Sequence, residues 1–201
     1  ADVTRHVILA LHGASVEVIW GSLNAVGDSD GDALSARLSS PFGLALAGRH
    51  RLLFVADSGN GKVRALSITT NEVATVARNF LEPKALALVP DDLTDSQDLF
   101  VTDASQGKIL RLPLPSEAFA LGAEEWPSSH VAVNANTLAA VTGGSGLNRP
   151  SWLIYWRLGQ AVIVTEDGGA RQIFRIPLDG SGRVKLLQAG PFNGHAGVQP
   201  L

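Results

Sequence analysis

Val55-Ala56-Asp57-Ser58-Gly59-Asn60-Gly61-Lys62-Val63-Arg64-Ala65-Leu66 is a phrase that this chain repeats. The same order returns in Val101-Thr102-Asp103-Ala104-Ser105-Gln106-Gly107-Lys108-Ile109-Leu110-Arg111-Leu112 and, more loosely, in residues 164–175. Each copy has an apolar strand end, an acid, a small polar turn, a cation and a second apolar strand. A period of roughly 40 to 50 residues predicts an array of similar β units, with a propeller as the foremost architecture.

Composition narrows the class of protein. The chain has 201 residues, enough for one domain with a core, and its 16 Lys and Arg are scattered through a sequence of net charge −3. We therefore predict no nucleic-acid partner, because such a partner needs clustered basic residues. No segment predicts a membrane span, and the absence of cysteine excludes disulfides and thiolate metal sites. The sequence leaves the compartment open.

Turn signals divide the single predicted domain, 1–201, into units of short β segments. We predict a half unit at 4–26, complete units at 27–77, 78–135 and 136–188, and the start of a further unit at 189–201. The second unit carries an insertion at 113–130, and we expect its outer strand near residues 130–133. Four short strands in each unit are the pattern of a propeller blade.

A resemblance to a known family covers nearly the whole chain and is strongest over residues 16–112. The motifs that carry it resemble those of NHL-repeat β-propeller proteins: Gly27-Asp28-Ser29-Asp30-Gly31-Asp32-Ala33, Ala36-Arg37-Leu38, Ser40-Pro41-Phe42-Gly43-Leu44-Ala45 and the phrase from Val55 onward. The resemblance implies an all-β propeller of six blades, of which about four are present here. An open array leaves strand edges unpaired, so we expect either further blades or a partner chain that completes the propeller.

The acids at the strand ends have two interpretations. Asp57, Asp103 and Glu166 could converge on a channel as catalytic groups, or each could accept hydrogen bonds from backbone N–H groups of its own turn. Recurrence in every unit favours the structural role, because a catalytic residue need occur only once. We therefore predict no catalytic residue, and we expect Lys62 and Lys108 to lie on the strand surface.

Two patterns could indicate a metal site. The loop Asp28-Ser29-Asp30-Gly31-Asp32 begins like a calcium loop, but Ala33 and Ser39 stand where an EF-hand needs its glycine and its glutamate. The 5 histidines are dispersed, whereas zinc needs several ligands brought together. We therefore predict no metal and no cofactor, and we interpret the acidic loop as a solvated connection between blades.

Trp152, Tyr155 and Trp156 form the densest aromatic cluster of the sequence. At alternate positions along a strand, Trp152 and Ile154 face one side, whereas Leu153 and Tyr155 face the other. Core packing between blades is the default expectation. An exposed aromatic rim that grips a peptide is the alternative.

The preferred function is a non-catalytic protein–protein interaction scaffold that binds a protein or peptide through loops on one face. The residues predicted to bind are Asp28, Asp30, Asp32, Ser58, Asn60, Ser105, Gln106 and Asp167. A second class stays open, a metal-dependent hydrolase or lyase of the lactonase or amidating-lyase type with Ca²⁺ or Zn²⁺ in its channel. A fold by itself does not choose between these functions.

Overall fold

The computed structural model describes residues 1–48, 51–90, 97–114, 133–134, 146–169, 171–179, 184–189 and 198–200. The described architecture is all-β. Its strands are β1 (Ile8–His12), β2 (Ser15–Trp20), β3 (Gly31–Asp32), β4 (Pro41–Ala47), β5 (Leu52–Asp57), β6 (Lys62–Ser67), β7 (Glu72–Arg78), β8 (Pro83–Pro90), β9 (Gln97–Asp103), β10 (Lys108–Leu114), β11 (Val133–Asn134), β12 (Pro150–Trp156), β13 (Ala161–Glu166), β14 (Gln172–Pro177), β15 (Val184–Ala189) and β16 (Val198–Pro200).

Strands that follow one another in the chain pair into sheets. β1 and β2 form a hairpin, β4–β7 and β12–β16 form long antiparallel meanders, and β8–β10 form a shorter one. β3 and β11 both add to β7. This order of repeated meanders is the one that the recurring phrase predicts.

The three larger sheets share one construction at their start. In each of them a proline opens the first strand, and a register shift follows it. Proline has no N–H to give to the ladder, so it suits the position where pairing begins. Each proline is paired with the acid that ends the second strand, as Pro41 with Asp57, Pro83 with Asp103 and Pro150 with Glu166.

The sheets pack face to face through alternating apolar side chains. Phe54 and Leu99 lie in the core between the β4–β7 and β8–β10 sheets. Phe100 and Val162 lie in the next core, between β8–β10 and β12–β15. Neighbouring residues of β9 therefore serve opposite faces, as the period of two in a strand requires. Burial of each such side chain contributes about 1.5–3 kcal/mol.

A third core covers the outer face of the first meander. Ile8 and Trp20 from the hairpin pack with Val55 of β5. The connection that follows the hairpin contributes Ala36 and Leu38 to the same core. Residues 33–38 thus act as a lid on this face rather than as a bare link.

The second unit departs from the prediction in its outer part. The predicted insertion starts too early, because Pro113 and Leu114 still pair with β9 as the end of β10. Val133–Asn134 pairs in parallel with β7 of the preceding meander, so the prediction of an outer strand beside β10 is wrong for these two residues. Residues 115–132 lie outside the described part of the chain.

The aromatic cluster is split between two faces. Tyr155 and Leu153 pack into the core, as the default expectation has it. Trp152 and Trp156 are 64 % and 45 % exposed, so core packing is wrong for these two residues. They point to the opposite side of β12, against which no sheet packs in the described part of the chain.

Candidate functional site

Turns of equivalent position lie along one edge of the three larger sheets. Each turn joins the second strand of a sheet to the third, and each begins with the repeated acid. Beside the turns run the connectors that lead into the sheets. We call this region the turn edge; it comprises the turns 57–61, 103–107 and 166–169 and the connectors 39–40, 80–83 and 147–149.

Asp103 shows most fully what the repeated acid does. Its buried carboxylate accepts hydrogen bonds from the backbone N–H groups of Leu81 and Glu82, at 2.8 and 3.1 Å. It also accepts from the backbone N–H and the side-chain amide of Gln106, at 3.2 and 2.9 Å. One carboxylate thus ties its own turn to the connector that leads into the same sheet.

The other two acids repeat the contact with the connector. Asp57 accepts from the Ser39 N–H at 2.7 Å and from the Asn60 amide at 2.8 Å. Glu166 accepts from the Asn148 N–H at 2.7 Å. These are the contacts of structural acids, with one difference from the sequence expectation. The shared donor lies on the connector, many residues upstream, and not within the acid's own turn.

In the first two turns, one glycine each fastens the turn to the following connector. The carbonyl groups of Gly61 and Gly107 accept the N–H groups of Phe80 and Leu147, at 3.1 and 2.8 Å. Both glycines have left-handed backbones, with φ of +61° and +64°. A Cβ at Gly61 would also collide with the Phe80 carbonyl oxygen, so only glycine fits there.

Arg64 organises the first unit. Its guanidinium is fully buried, with Nη2 2.5 Å from Asp28 Oδ1 and Nη1 3.0 Å from Asp30 Oδ1. Nη1 also donates to the Ser29 carbonyl at 2.8 Å. Nε lies 3.1 Å from Asp57 Oδ2, although its N–H is not directed at that oxygen. The arginine therefore joins the acidic loop to the strand-end acid.

The same network shifts two carboxyl groups in opposite directions. Partial burial would raise the pKa of Asp28, but hydrogen bonds and charge from Lys62 and Arg64 outweigh it and lower that pKa. Burial raises the pKa of Asp57, although hydrogen bonds from Ser39 and Asn60 and the charge of Arg64 act against it. Asp28 is thus held ionised while Asp57 carries a desolvation cost.

The acidic loop is consequently more than a solvated connection, and that interpretation is wrong for two of its acids. Asp28 binds Lys62 and Arg64, and Asp30 binds Arg64 and accepts the backbone N–H of Thr75 at 3.0 Å. Asp32 instead caps a local turn, accepting the Leu34 N–H at 3.0 Å. The carboxylates of Asp28 and Asp30 are thus paired with cationic side chains of this chain.

The remaining predicted binding residues lie on the turn edge, and the structure brings them beside the connectors. Ser58 donates to the Pro83 carbonyl, Asn60 to the Gly27 carbonyl at 2.7 Å, and Ser105 to Glu82 at 2.6 Å. Gln106 holds Asp103, as described above. Asp167 is exposed, and its backbone N–H donates to the Arg149 carbonyl at 3.0 Å.

A group of side chains, of which the sequence analysis considered Trp152 alone as a binding residue, lies beside these turns, where the three inner strands begin. The rings of Phe42 and Trp152 are 6.1 Å apart at an angle of 59°, and Lys84 Nζ lies 5.2 Å from the Phe42 ring centre. Glu82 binds Lys84 at 3.3 Å and Arg149 at 3.0 Å. We call Phe42, Glu82, Lys84, Arg149 and Trp152 the mouth cluster.

The charge of Glu82 is stabilised by this surrounding. Partial burial would raise its pKa, but hydrogen bonds from Ser105 and Lys84 and the charges of Lys84 and Arg149 lower it. Glu82 is therefore an anion that holds two cations in place. Because these groups come from two different sheets, their contact also fixes the second sheet against the third.

Below the mouth cluster the inner strands line an apolar cavity that is broadly open to solvent. Its volume is about 300 Å³, and its walls are residues 44–46, 86–88 and 153–155 of β4, β8 and β12. Leu46 and Ile154 are about 60 % exposed at this wall. The cavity holds no acidic or basic side chain among its lining residues.

The sequence contained a recognisable signal for some of the residues that the sequence analysis missed, but not for all of them. Arg64 stands in the repeated phrase where the second copy has Leu110, so a charged residue at a buried strand position was visible in the sequence. Its partners, Asp28 and Asp30, precede it by more than thirty residues. Phe42 and Lys84 each follow the proline that opens a sheet, and Arg149 precedes one, so the repeat relates their positions. Their differing residue types gave no sign of a shared site.

In the described ranges, no group of three His, Cys, Asp or Glu side chains is placed to hold a metal ion. The described residues also contain no helix long and apolar enough to cross a membrane.

Comparisons with known proteins address the fold. No protein-family model matches the chain, and no curated protein matches it. A chain of a nidogen/laminin complex superposes with a TM-score of 0.60 at 16 % identity, over 92 % of this chain and 60 % of that one. A gluconolactonase from Xanthomonas campestris gives 0.52 at 15 % identity, over 79 % and 56 %.

A hydrazine synthase from Kuenenia stuttgartiensis gives a TM-score of 0.52 at 17 % identity, over 79 % of this chain and 38 % of that one. The chain thus spans between 38 % and 60 % of the length of these three neighbours. Likeness at such low identity concerns architecture alone. Together with the repeated meanders, it establishes an all-β, propeller-like fold.

Proposed function

We propose that this chain is an NHL-type β-propeller, with about four blades of a six-bladed ring, and that it acts as a non-catalytic binding module. Its partner is a protein or peptide that lies on the turn edge. The fold class supports such a role, since propeller faces present loops from several blades on one surface. The NHL assignment is supported by the motifs around Asp57 and by the strap that this acid forms with its connector.

The observation that carries the proposal is the set of hydrogen bonds that joins the turns to the connectors along the turn edge. Buried acids and glycine carbonyls fasten its turns to the connectors, as at Asp103 and Gly61. A surface that is ordered before binding loses less entropy when a partner arrives. Exposed polar side chains such as Asp167 then offer contacts on a fixed frame.

The neighbouring structures include both a protein complex and an enzyme. The nidogen/laminin neighbour is part of a protein assembly, whereas the gluconolactonase neighbour is a catalyst. The choice for this chain therefore rests on its own acids. Asp57, Asp103 and Glu166 are buried and bonded to backbone N–H groups, which favours support of the turns over chemistry on a substrate.

The proposal can be tested by selecting peptides from a random displayed library on the immobilised chain. We expect bound peptides to be lost when Ser105→Lys and Asp167→Lys are introduced on the turn edge. The matched control is Thr69→Lys, in the turn between β6 and β7 at the opposite edge, which should retain them. Equal loss in the control, or retention in the turn-edge variants, would contradict the proposed surface.

A further inference from the structure

The mouth cluster is the place where the three units meet on the turn edge. Phe42 comes from the first unit, Lys84 from the second, and Arg149 and Trp152 from the third. Lys84 lies against the Phe42 ring as a cation–π contact, while Phe42 lies against Trp152. A side chain from each unit is thus fixed by a neighbour, which is the order that a recognition site needs.

Glu82 positions the two cations and uses its own acceptors in doing so. Its oxygens receive Arg149 Nη2 at 3.0 and 3.2 Å, Ser105 Oγ at 2.6 Å and Lys84 Nζ at 3.3 Å. A ligand would therefore find Glu82 already occupied. The two cations, Lys84 and Arg149, share the single negative charge of Glu82, so the cluster keeps an excess of positive charge.

Arg149 has unused donors. Its side chain is 51 % exposed, and the contacts to Glu82 involve Nη2. Across the part of the chain that the structure describes, Nε and Nη1 have no hydrogen-bond partner, and the exposed Asp167 forms no ion pair with them. A planar guanidinium with open donors matches the geometry of a carboxylate.

The apolar cavity begins directly below. Leu44 and Ile154 each follow a ring of the mouth cluster by two residues on the same strand, a distance of about 7 Å at 3.3 Å per residue. The lining of the cavity is aliphatic except for Tyr155. A ligand at Arg149 could therefore place an apolar group on Trp152 and into the cavity at once.

We propose that the mouth cluster and cavity bind a peptide segment in which an Asp or Glu side chain is adjacent to a large apolar one. The carboxylate pairs with Arg149 and Lys84, and the apolar side chain packs on Trp152 and enters the cavity. This inference rests on the proposed function and names the chemistry of its partner. Charge complementarity sets the acidic position, and the exposed Ile154 and Trp152 set the apolar one.

The test begins with peptides selected from the same random library on the wild-type chain. We expect Asp or Glu to be enriched next to Leu, Ile, Phe or Val. One selected peptide is then synthesised with its acid and with the matching amide, and binding is measured by calorimetry. The acidic peptide should bind about tenfold or more tightly than the amide, as expected for a hydrogen bond to a charged group.

Paired variants locate the effect. Arg149→Gln should remove most of the preference for the acidic peptide, and Lys84→Gln should reduce it. Arg111→Gln is the matched control, because Arg111 is also 51 % exposed and pairs with one acid, Asp98, away from the cluster. Ile154→Ser should weaken both peptides equally. Unchanged urea midpoints verify that each variant is folded.

The outcomes separate the inference from the proposed function. Peptides that bind the turn edge without an acidic preference, or that ignore Arg149→Gln, would overturn the inference and leave the proposed function standing. Failure to select any peptide at the turn edge would contradict both. A dimer of the peptide-free chain that buries Trp152 would show that a second copy occupies the site, and would also overturn the inference.

Discussion

The first and third meanders are built from the same repeated phrase, yet their exposed faces are treated differently. On the first, Arg64 is buried under the loop that carries Asp28 and Asp30, and the hairpin residue Trp20 covers the rest. On the third, Glu166 holds one connector N–H, and Trp152 stands in solvent. The repeated phrase therefore determines the strands and turns of each unit, whereas residues outside the phrase determine whether the exposed face of its sheet is covered.

The two faces should differ in how much their side chains contribute to the free energy of unfolding. The first face carries a buried ion network whose charges all depend on one another, so removal of a single member leaves the others uncompensated. Among the residues that the structure describes, the third face has no comparable ion network at Glu166, and its exposed rings contribute surface for contact. We therefore expect substitutions on the first face to change the stability of the fold, and substitutions on the third face to change binding.

The largest effect should come from Arg64→Leu, which gives the first unit the residue that the second has at Leu110. The change strands the buried carboxylate of Asp57 without its cation. We expect a loss of about 3–5 kcal/mol in the free energy of unfolding, measured by urea denaturation. Arg111→Leu breaks an exposed pair and should cost less than about 1 kcal/mol. A smaller loss of stability in Arg64→Leu than in Arg111→Leu would contradict the claim that the ion network around Arg64 stabilises the first meander.

The next largest effect is expected at a glycine, and it can be measured against a second glycine with the same left-handed backbone conformation. Gly61 and Gly169 have φ of +61° and +63°. A Cβ at Gly61 meets the fixed carbonyl of Phe80, whereas at Gly169 it comes within 3.0 Å of the flexible Asn148 side chain. Gly169→Ala should therefore cost about 1–2 kcal/mol for the left-handed backbone alone. Gly61→Ala should cost about 1–3 kcal/mol more. Equal thermal unfolding midpoints would argue against the Gly61 strap.

Acidification should lower the free energy of unfolding through Asp28 of the first face, by less than the two substitutions above. Because Lys62 and Arg64 lower the folded-state pKa of Asp28, this group stabilises the fold above its unfolded value of 3.8, and that stability is lost as pH falls through the folded pKa. Asp57 has the opposite sign, since its raised pKa contributes stability that is present below 3.8 and lost as pH rises through the folded value.

Asp28→Asn should consequently flatten the loss of stability on acidification. The effect should be less than about 1 kcal/mol, because Asp28 is 46 % exposed and solvent screens its charge. Urea midpoints recorded between about pH 3 and pH 6 would measure it. A steeper acid loss in the variant than in the wild type would contradict this assignment of sign.

The smallest effect on stability is expected at the third face. Trp152→Ser should change the free energy of unfolding by about 1 kcal/mol or less, since the ring is mostly exposed and contacts Phe42. Leu153→Ser, one residue away but facing the core, should cost at least about 2 kcal/mol. Chemical denaturation of the pair would measure the contrast. A large loss at Trp152 would mean that its ring packs against something in solution.

The sequence predicted the architecture well because the physical causes of the fold are local and repeated. The strand-end acids, the prolines that open the sheets and the alternation of β12 all follow from spacing along the chain. Val133–Asn134 was misplaced because two residues carry too little pattern to choose between β7 and β10. Pairing partners at that level are set by tertiary packing.

The candidate site was harder to foresee. Ser105 and Asp167 were predicted as binding residues because they stand in the repeated turns, and they lie on the turn edge. Arg149 and Lys84 were missed because their contact through Glu82 joins separate units, and only folding brings them together. The exposure of Trp152 could not be read from alternation, which gives the side of a strand that a residue faces but not what covers that side.

Hydrogen–deuterium exchange, recorded with and without a selected peptide, can decide whether the turn edge is ordered before binding and is used for binding. We expect slow exchange at the connector amides of Ser39, Leu81 and Asn148 in the peptide-free chain, because buried acids hold them. Peptide should further protect the turns 58–61 and 104–107 and leave the opposite turn 68–71 unchanged. Fast exchange at the connectors, or peptide protection at 68–71, would contradict a rigid turn edge used for binding.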